Sequence, residues 1–315
     1  MNFEQTLQIL PQQLVFGFAL GSVYGLIALG YTMVYGILFM INFAHGEVFM
    51  IGAYLGWGVL TWLLSLKLSF LHPIWVLPLL LGIAMLGSAF VGVTLEFLAY
   101  RPLYKRGASR LAPLISAIGA SIFLQNAVML TQGARMKVYS SRLLFPPSWR
   151  IQVGGVNISA IVIVITLVSL GIMMGLYYLV HRTTLGRAMR AVAEDREMAS
   201  SMGIPINRII SLTFLIGSAL GGAAGVLIGI YYTQIDFFMG YSAGLKAFTA
   251  AVLGGIGNIQ GAMIGGLTLG IIESLGVTFL NPAYRDVVTF VVLILTLIFK
   301  PTGLLGETLA EWKKI

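Results

Sequence analysis

Three groups of residues in this chain have the types and spacing to do chemistry. The first is Asn42, His45 and Glu47, inside the run GILFMINFAHGE (Gly36–Glu47), flanked by uncharged sequence at 5–44 and 48–66. An imidazole two residues from a carboxyl group can share a proton, form an internal hydrogen-bonded pair or ligate a metal. One His with one Glu is a poor zinc set, because such sites take about four ligands and no second pair stands at useful spacing. Two readings stay open: a polar clamp holding the local backbone, and a position on a path through an apolar environment. The second group is Glu273 with Arg285 and Asp286, expected near an outer surface, where mixed charges could gate a path or contact another protein. The third is residues 181–208, with His181, Arg182, Arg187, Arg190, Glu194, Asp195, Arg196, Glu197 and Arg208 between uncharged runs at 151–180 and 209–235. Such a loop is either a docking surface or an ordinary solvated connection.

Other chemistries are excluded or poorly supported. The chain has no cysteine, which removes disulfides, thiolate metal sites and thiol catalysis. No GxxxxGK[ST] loop is present, nor any Gly-Lys pair, so ATP would have to be bound by another polypeptide. Outside the charged loop the only aspartates are Asp236 and Asp286, and neither lies within a long span, which argues against an intramembrane hydrolase. The 14 Met residues form no His-supported copper cluster and read as packing. His72 and His181 read as loop residues near span ends.

The elements that position these groups must lie in lipid. Only 10% of residues are charged and 58% are hydrophobic, against about 25% charged in soluble domains. Uncharged runs recur at 5–44, 48–66, 68–95, 111–134, 151–180, 209–235, 247–272 and 287–299. About 20 apolar residues cross a hydrocarbon core of ~30 Å. The expected fold is all-α: a polytopic helical membrane protein of about 6–8 full spans plus two broken or re-entrant elements, with a weak internal repeat. It forms a single transmembrane domain over 1–315. The start, MNFEQ, has no basic residue before the apolar run and is not a cleavable signal. The net charge of +8 reports topology rather than nucleic-acid binding.

Basic loops set the orientation. Arg101, Lys105, Arg106 and Arg110 lie in one loop, and Arg182, Arg187, Arg190 and Arg196 in another; both belong in the cytoplasm. The intervening loop, 132–155, carries Arg135, Lys137, Arg142 and Arg150, yet only an outside position leaves the other two on one side. With six spans, the N-terminus and the C-terminal Lys313 and Lys314 are inside; with eight, both termini are outside. The preferred reading is six spans with two broken elements.

Gly36–Glu47 is the first break. Its counterpart follows the span 209–232, where Leu253–Gly261 reads LGGIGNIQG. Each half thus reads as span, broken element, span, the pattern in which transporters place a site where the breaks meet. Alternatively, Gly254, Gly255, Gly257 and Gly261 only allow close helix packing. Asn258 and Gln260 are candidates for hydrogen bonds inside a pore.

Three runs carry a resemblance: INFAHGEVFMIGAY (Ile41–Tyr54), LGRAMRAVAEDREMASSMGIP (Leu185–Pro205) and KAFTAAVLGGIGNIQGAMIGG (Lys246–Gly266), with PTGLLG (Pro301–Gly306) closing the chain. Together they resemble the H-type permease subunit of bacterial branched-chain amino acid ABC importers, over about 12–306. EMASSMG (Glu197–Gly203) is also similar to the importer docking pattern, with Met198 in place of its first Ala. The resemblance implies a short cytoplasmic helix in 181–208 that inserts into an ATP-binding subunit. Arg187, Arg190, Glu194, Asp195 and Arg196 would form its charged rim, Glu197 opens the docking pattern, Ala199 supplies helix propensity with little bulk and Gly203 makes the turn. It further implies a homologous second permease, two ATPase subunits holding ATP and Mg, and a periplasmic substrate-binding protein, all at a bacterial inner membrane. No cofactor and no enzyme activity are expected of this chain itself. Asn42, His45, Gly46 and Glu47, with Gly254, Gly255, Gly257, Asn258 and Gln260, are the candidates for the translocation path or its broken elements.

The implied cargo is leucine, isoleucine and valine. Urea, amide and other amino-acid permeases look similar. A secondary transporter driven by ions or protons would share the broken elements, with Glu47 and His45 as a proton site, but would not need a docking loop.

Overall fold

The computed structural model describes residues 3–66, 73–109, 111–140, 149–153 and 156–306; His72, Arg110, Arg142, Lys313 and Lys314 lie outside them. Uncharged apolar sequence folds as helix because lipid offers the backbone no hydrogen-bond partner. The helices are α1 (Phe3–Leu38), α2 (Ala44–Ser65), α3 (Pro73–Leu95), α4 (Arg101–Lys105), α5 (Leu111–Gln132), α6 (Ala160–Arg182), α7 (Thr184–Glu194), α8 (Arg196–Ser201), α9 (Ile206–Tyr232), α10 (Met239–Gly254), α11 (Ile259–Phe279) and α12 (Arg285–Phe299). A π-helical turn, Glu96–Tyr100, joins α3 to α4. Among the described residues seven helices are long and apolar enough to cross a membrane. α10 and α12, with 16 and 15 residues, are shorter. The protein is a multi-pass, all-α membrane protein. Its short strands lie in the connections: β1 (Lys137–Val138) pairs antiparallel with β4 (Gln234–Ile235), and β2 (Arg150–Val153) with β3 (Val156–Ser159).

α1 and α9 form the centre, while α5 is almost wholly exposed. Lipid tails are as apolar as leucine, so helices gain by close approach of small residues rather than by the hydrophobic effect. α1 and α11 pack antiparallel on this basis. Gly17 meets Gly270 and Ser274, and Gly25 meets Gly266; a Cβ on Gly21 would stand 2.8 Å from the Gly266 carbonyl oxygen.

The two faces of the bundle are distinct. One holds α7 and α8, the C-terminal end of α1, the α10–α11 turn and residues 300–306. Arg196 donates to the Ile37 carbonyl there, and the Leu304 and Leu305 amides donate to the Leu253 and Gly254 carbonyls at 2.7 and 2.9 Å. Arg101 lies toward this face, in a clamp with Glu96 (2.8 Å) that also takes in Ser211 and Tyr104. The opposite face carries the β1–β4 pair and the Tyr232–Arg285 contact. Lys137 and the α7–α8 arginines are therefore on different faces, as the orientation argument requires.

The expectation that both termini share a face is corrected. α1 starts on the face opposite α7–α8, and α12 ends on the α7–α8 face. The reason lies in the broken elements. Each re-enters the bundle but does not return to its own side: α2 continues to the far face and α10 to the α7–α8 face.

Candidate functional site

The α7–α8 pair is built by side-chain caps. Thr183 Oγ1 accepts from the Gly186 amide at 3.1 Å to start α7. Asp195 Oδ1 accepts from the Glu197 and Met198 amides at 2.8 and 3.0 Å to start α8, the usual way of satisfying open N–H groups at a helix start. Gly203 ends it, with φ +80°, while the Gly203 and Ile204 amides return to the Ser200 and Ala199 carbonyls. Only glycine adopts that φ without strain, and Pro205 prevents further helix. Gly186, Met189, Val192 and Ala199 are buried against the bundle. Arg187, Arg190, Glu194, Glu197 and Gly203 are exposed, together with Met198 and Met202. Asp195 is exposed too, but one carboxylate oxygen serves as a cap. Arg196 departs from the expected rim: it is half-buried and turns inward to Ile37. Burial pulls its guanidinium below its ordinary pKa.

The first broken element is the five-residue stretch between α1 and α2. Phe39, with φ +52°, ends α1. Asn42 Oδ1 accepts from the Tyr100 hydroxyl at 2.7 Å, tying the stretch to the π-helical turn. His45 is 1% exposed, edge-on to Tyr31 with centroids 4.9 Å apart; its Nε2 has no hydrogen-bond partner. Glu47 is fully buried and turns elsewhere: Oε1 accepts from Ser121 of α5 at 3.2 Å, and Oε2 packs on Gly240 without a hydrogen bond. Among the described residues no three His, Cys, Asp or Glu side chains are grouped to hold a metal.

The glycine run is the break between α10 and α11, and a further interruption precedes α10. Gly254 is the last residue of α10, and Gly255 and Gly257, at φ +107° and +98°, make the turn into α11. Asn258 caps α11, accepting from the Gly261 amide at 3.0 Å and donating to Leu305 at 2.9 Å. Gln260 donates to the Tyr177 hydroxyl at 3.2 Å. These residues form the α10–α11 turn on the α7–α8 face. The interruption inside the second half is Thr233–Phe238, before α10, where Thr233 has φ +58°.

The two interruptions run in opposite senses. One leads up from the α7–α8 face into α2, the other down from the far face into α10. Their helix N-termini abut: a Cβ on Gly46 would stand 3.0 Å from Gly244 Cα, and one on Gly240 3.0 Å from the Glu47 Cδ. The Glu47 carboxyl thus sits between the positive ends of two half-helices. Both breaks expected from sequence, Gly36–Glu47 and Leu253–Gly261, fall where helices end and restart, but the interruption that meets the first is Thr233–Phe238, which carries no glycine signal.

An ion network, of which sequence reasoning missed Lys246 and Tyr24, joins α1, α10, α11 and α12. Glu273 Oε1 receives Lys246 Nζ at 3.1 Å, Arg285 Nε at 3.2 Å and the Tyr24 hydroxyl at 3.3 Å. Lys246 Nζ also meets Asp286 Oδ1 at 2.8 Å, and Arg285 Nη1 donates to the Tyr232 hydroxyl at 3.1 Å. Glu273, Arg285 and Asp286 were grouped from sequence. Lys246 could have been found as one of only two charges, with Asp236, between the uncharged runs at 209–235 and 247–272.

The family model described as branched-chain amino acid transport system / permease component matches residues 13–297. The chain is 51% identical over 304 residues to the high-affinity branched-chain amino acid transport system permease protein BraD of Pseudomonas aeruginosa, covering 95% of this chain and 97% of that one. It is 48% identical over 313 residues to the LivH permease protein of Escherichia coli, covering 98% and 99%, and 47% identical to LivH of Salmonella typhimurium over the same length. No solved structure matches. The chain belongs to the permease-component family of branched-chain amino acid transport systems.

Proposed function

We propose that this chain is the permease subunit of an ATP-driven importer of leucine, isoleucine and valine in a bacterial inner membrane. It carries part of the translocation path and takes its motion from ATPase subunits that hold ATP and Mg. A homologous second permease and a periplasmic substrate-binding protein complete the assembly; the chain itself catalyses no reaction.

The observation that carries the reading is the α7–α8 pair. Its inner side is fastened to the bundle, and its outer side offers Arg187, Arg190, Glu194, Glu197, Met198 and Met202 to a partner. Apolar methionines within a charged rim suit a docked surface, where the rim sets orientation. Arg196 links that surface to the end of α1 and so to the first broken element. A rocking ATPase would reach Asn42–Glu47 by this route.

A tagged copy, extracted gently from native membranes, is expected to bring down an ATPase with a phosphate-binding loop and a second permease. Recovery of the chain alone, under conditions that preserve other complexes, counts against the assembly. The orphaned Glu47 Oε2 and His45 Nε2 favour one alternative, proton-coupled transport. In sealed proteoliposomes that reading requires uptake driven by a pH gradient without ATP.

A further inference from the structure

We propose that the cavity between α1, α9, α10 and α12 is a subsite for the zwitterionic head group of an α-amino acid. This deepens the importer reading and rests on it. The half-open cavity, of about 340 Å³, lies at the end of the bundle away from α7–α8 and is walled in part by Tyr24, Tyr232, Asp236, Ser242, Lys246 and Arg285. Its size is at the lower end of the ~300–1,000 Å³ typical of small-molecule sites.

The charges define what it takes. Lys246 lines the cavity with its side chain 10% exposed, held between two carboxylates. Glu273 is fully buried, accepts from Lys246 and from the Tyr24 hydroxyl and is ion-paired with Arg285, whereas the Asp286 side chain is 61% exposed. Only Asp286 can leave. An incoming α-carboxylate of the same chemistry takes its place on Lys246, with Arg285 beside it for a second charge-assisted bond. The first turn of α10 also faces this space through Met239 and Ser242, and the positive end of the helix favours negative charge. Asp236 stands on the same wall, with Oδ1 accepting from the Phe238 amide at 2.7 Å. It supplies the counter-charge for an ammonium group in a cavity that Tyr24 and Tyr232 also line. Ile228, Met239 and Ala243 offer apolar surface to a branched side chain. A lysine held within a membrane bundle is costly and leans functional.

The absence of cysteine makes the test direct. Ser242→Cys places a single thiol in the cavity wall, and Gln234→Cys gives a second if the first does not assemble. The complete importer in right-side-out vesicles is treated with a membrane-impermeant thiol reagent. Leucine at roughly ten times its dissociation constant is expected to slow modification about tenfold, by mass action. Isopentylamine, which lacks the carboxylate, and isocaproate, which lacks the ammonium, protect far less. Asp286→Asn lowers the leucine concentration needed, because the competing carboxylate is gone; Lys246→Gln removes protection. A Trp62→Cys thiol, exposed and outside the cavity, reacts at one rate throughout. Equal rates with and without leucine overturn the proposal, as do protection by isopentylamine equal to that by leucine or a cavity thiol that the reagent never reaches. Leucine uptake by the unaltered importer in the same vesicles is scored separately: its absence counts against the importer reading, and its presence without protection counts against the cavity alone.

Discussion

Arg196, the first residue of α8, donates through its guanidinium to the carbonyl oxygen of Ile37, next to last in α1. The last carbonyls of a helix lack intrahelical partners, so a surface loop here caps a central helix. The contact joins the proposed docking surface to the backbone that turns back at Phe39. Arg196→Ala is therefore expected to separate two activities of the assembled importer: ATP hydrolysis persists while leucine uptake falls about tenfold or more, since hydrogen bonds to charged groups contribute ~1.5–3 kcal/mol. Paired ATPase and uptake assays on one reconstituted sample decide it; parallel loss of both would place Arg196 in folding rather than transmission.

Gly203 has φ +80° and open space where a Cβ would go. A substitution there strains the backbone without any clash. Gly203→Val is expected to cost on the order of 1–2 kcal/mol locally and to distort the end of α8, with Gly203→Asn milder because asparagine tolerates this region. Helix content by circular dichroism should be unchanged while ATP-coupled uptake falls. Glu197→Lys reverses an exposed charge and should give the same uncoupling; normal uptake in both variants would remove α8 from the docking surface.

Gly46 and Gly240 bring two helix starts into backbone contact. Gly46→Leu and Gly240→Val are expected to prevent assembly of the bundle, seen as loss of a monodisperse peak in detergent. Gly58, also in α2, has nothing within 4 Å of a Cβ position, so Gly58→Ala should be tolerated. A tolerated Gly46→Leu would mean that the half-helices do not meet as described.

Glu273 is the buried anion shared by Lys246 and Arg285. Glu273→Ala leaves two cations without it, and breaking a buried pair in this way costs about 3–5 kcal/mol. Thermal unfolding in detergent should shift down markedly. Glu273→Ala combined with Lys246→Met should recover part of the loss, because one unpaired charge is removed with its partner; no recovery would show that the pair is not energetically coupled.

The sequence by itself determined the fold class, the membrane setting, the charged loop between two apolar runs and the first broken element. Each rests on a local signal: uncharged runs of spanning length, a charged segment between two of them, and polar Asn42, His45 and Glu47 where lipid would penalise them. The tertiary structure decided the rest. It set the interruption at Thr233–Phe238 against the first broken element, made Asn258 a helix cap, turned Arg196 inward and put the described ends of the chain on opposite faces. It also joined Tyr24, Lys246, Glu273 and Arg285, which span 262 positions of sequence from first to last. Such facts depend on which helix faces which. In lipid that choice is made by the fit of small residues, such as Gly21 on Gly266, and composition along a single strand does not contain it.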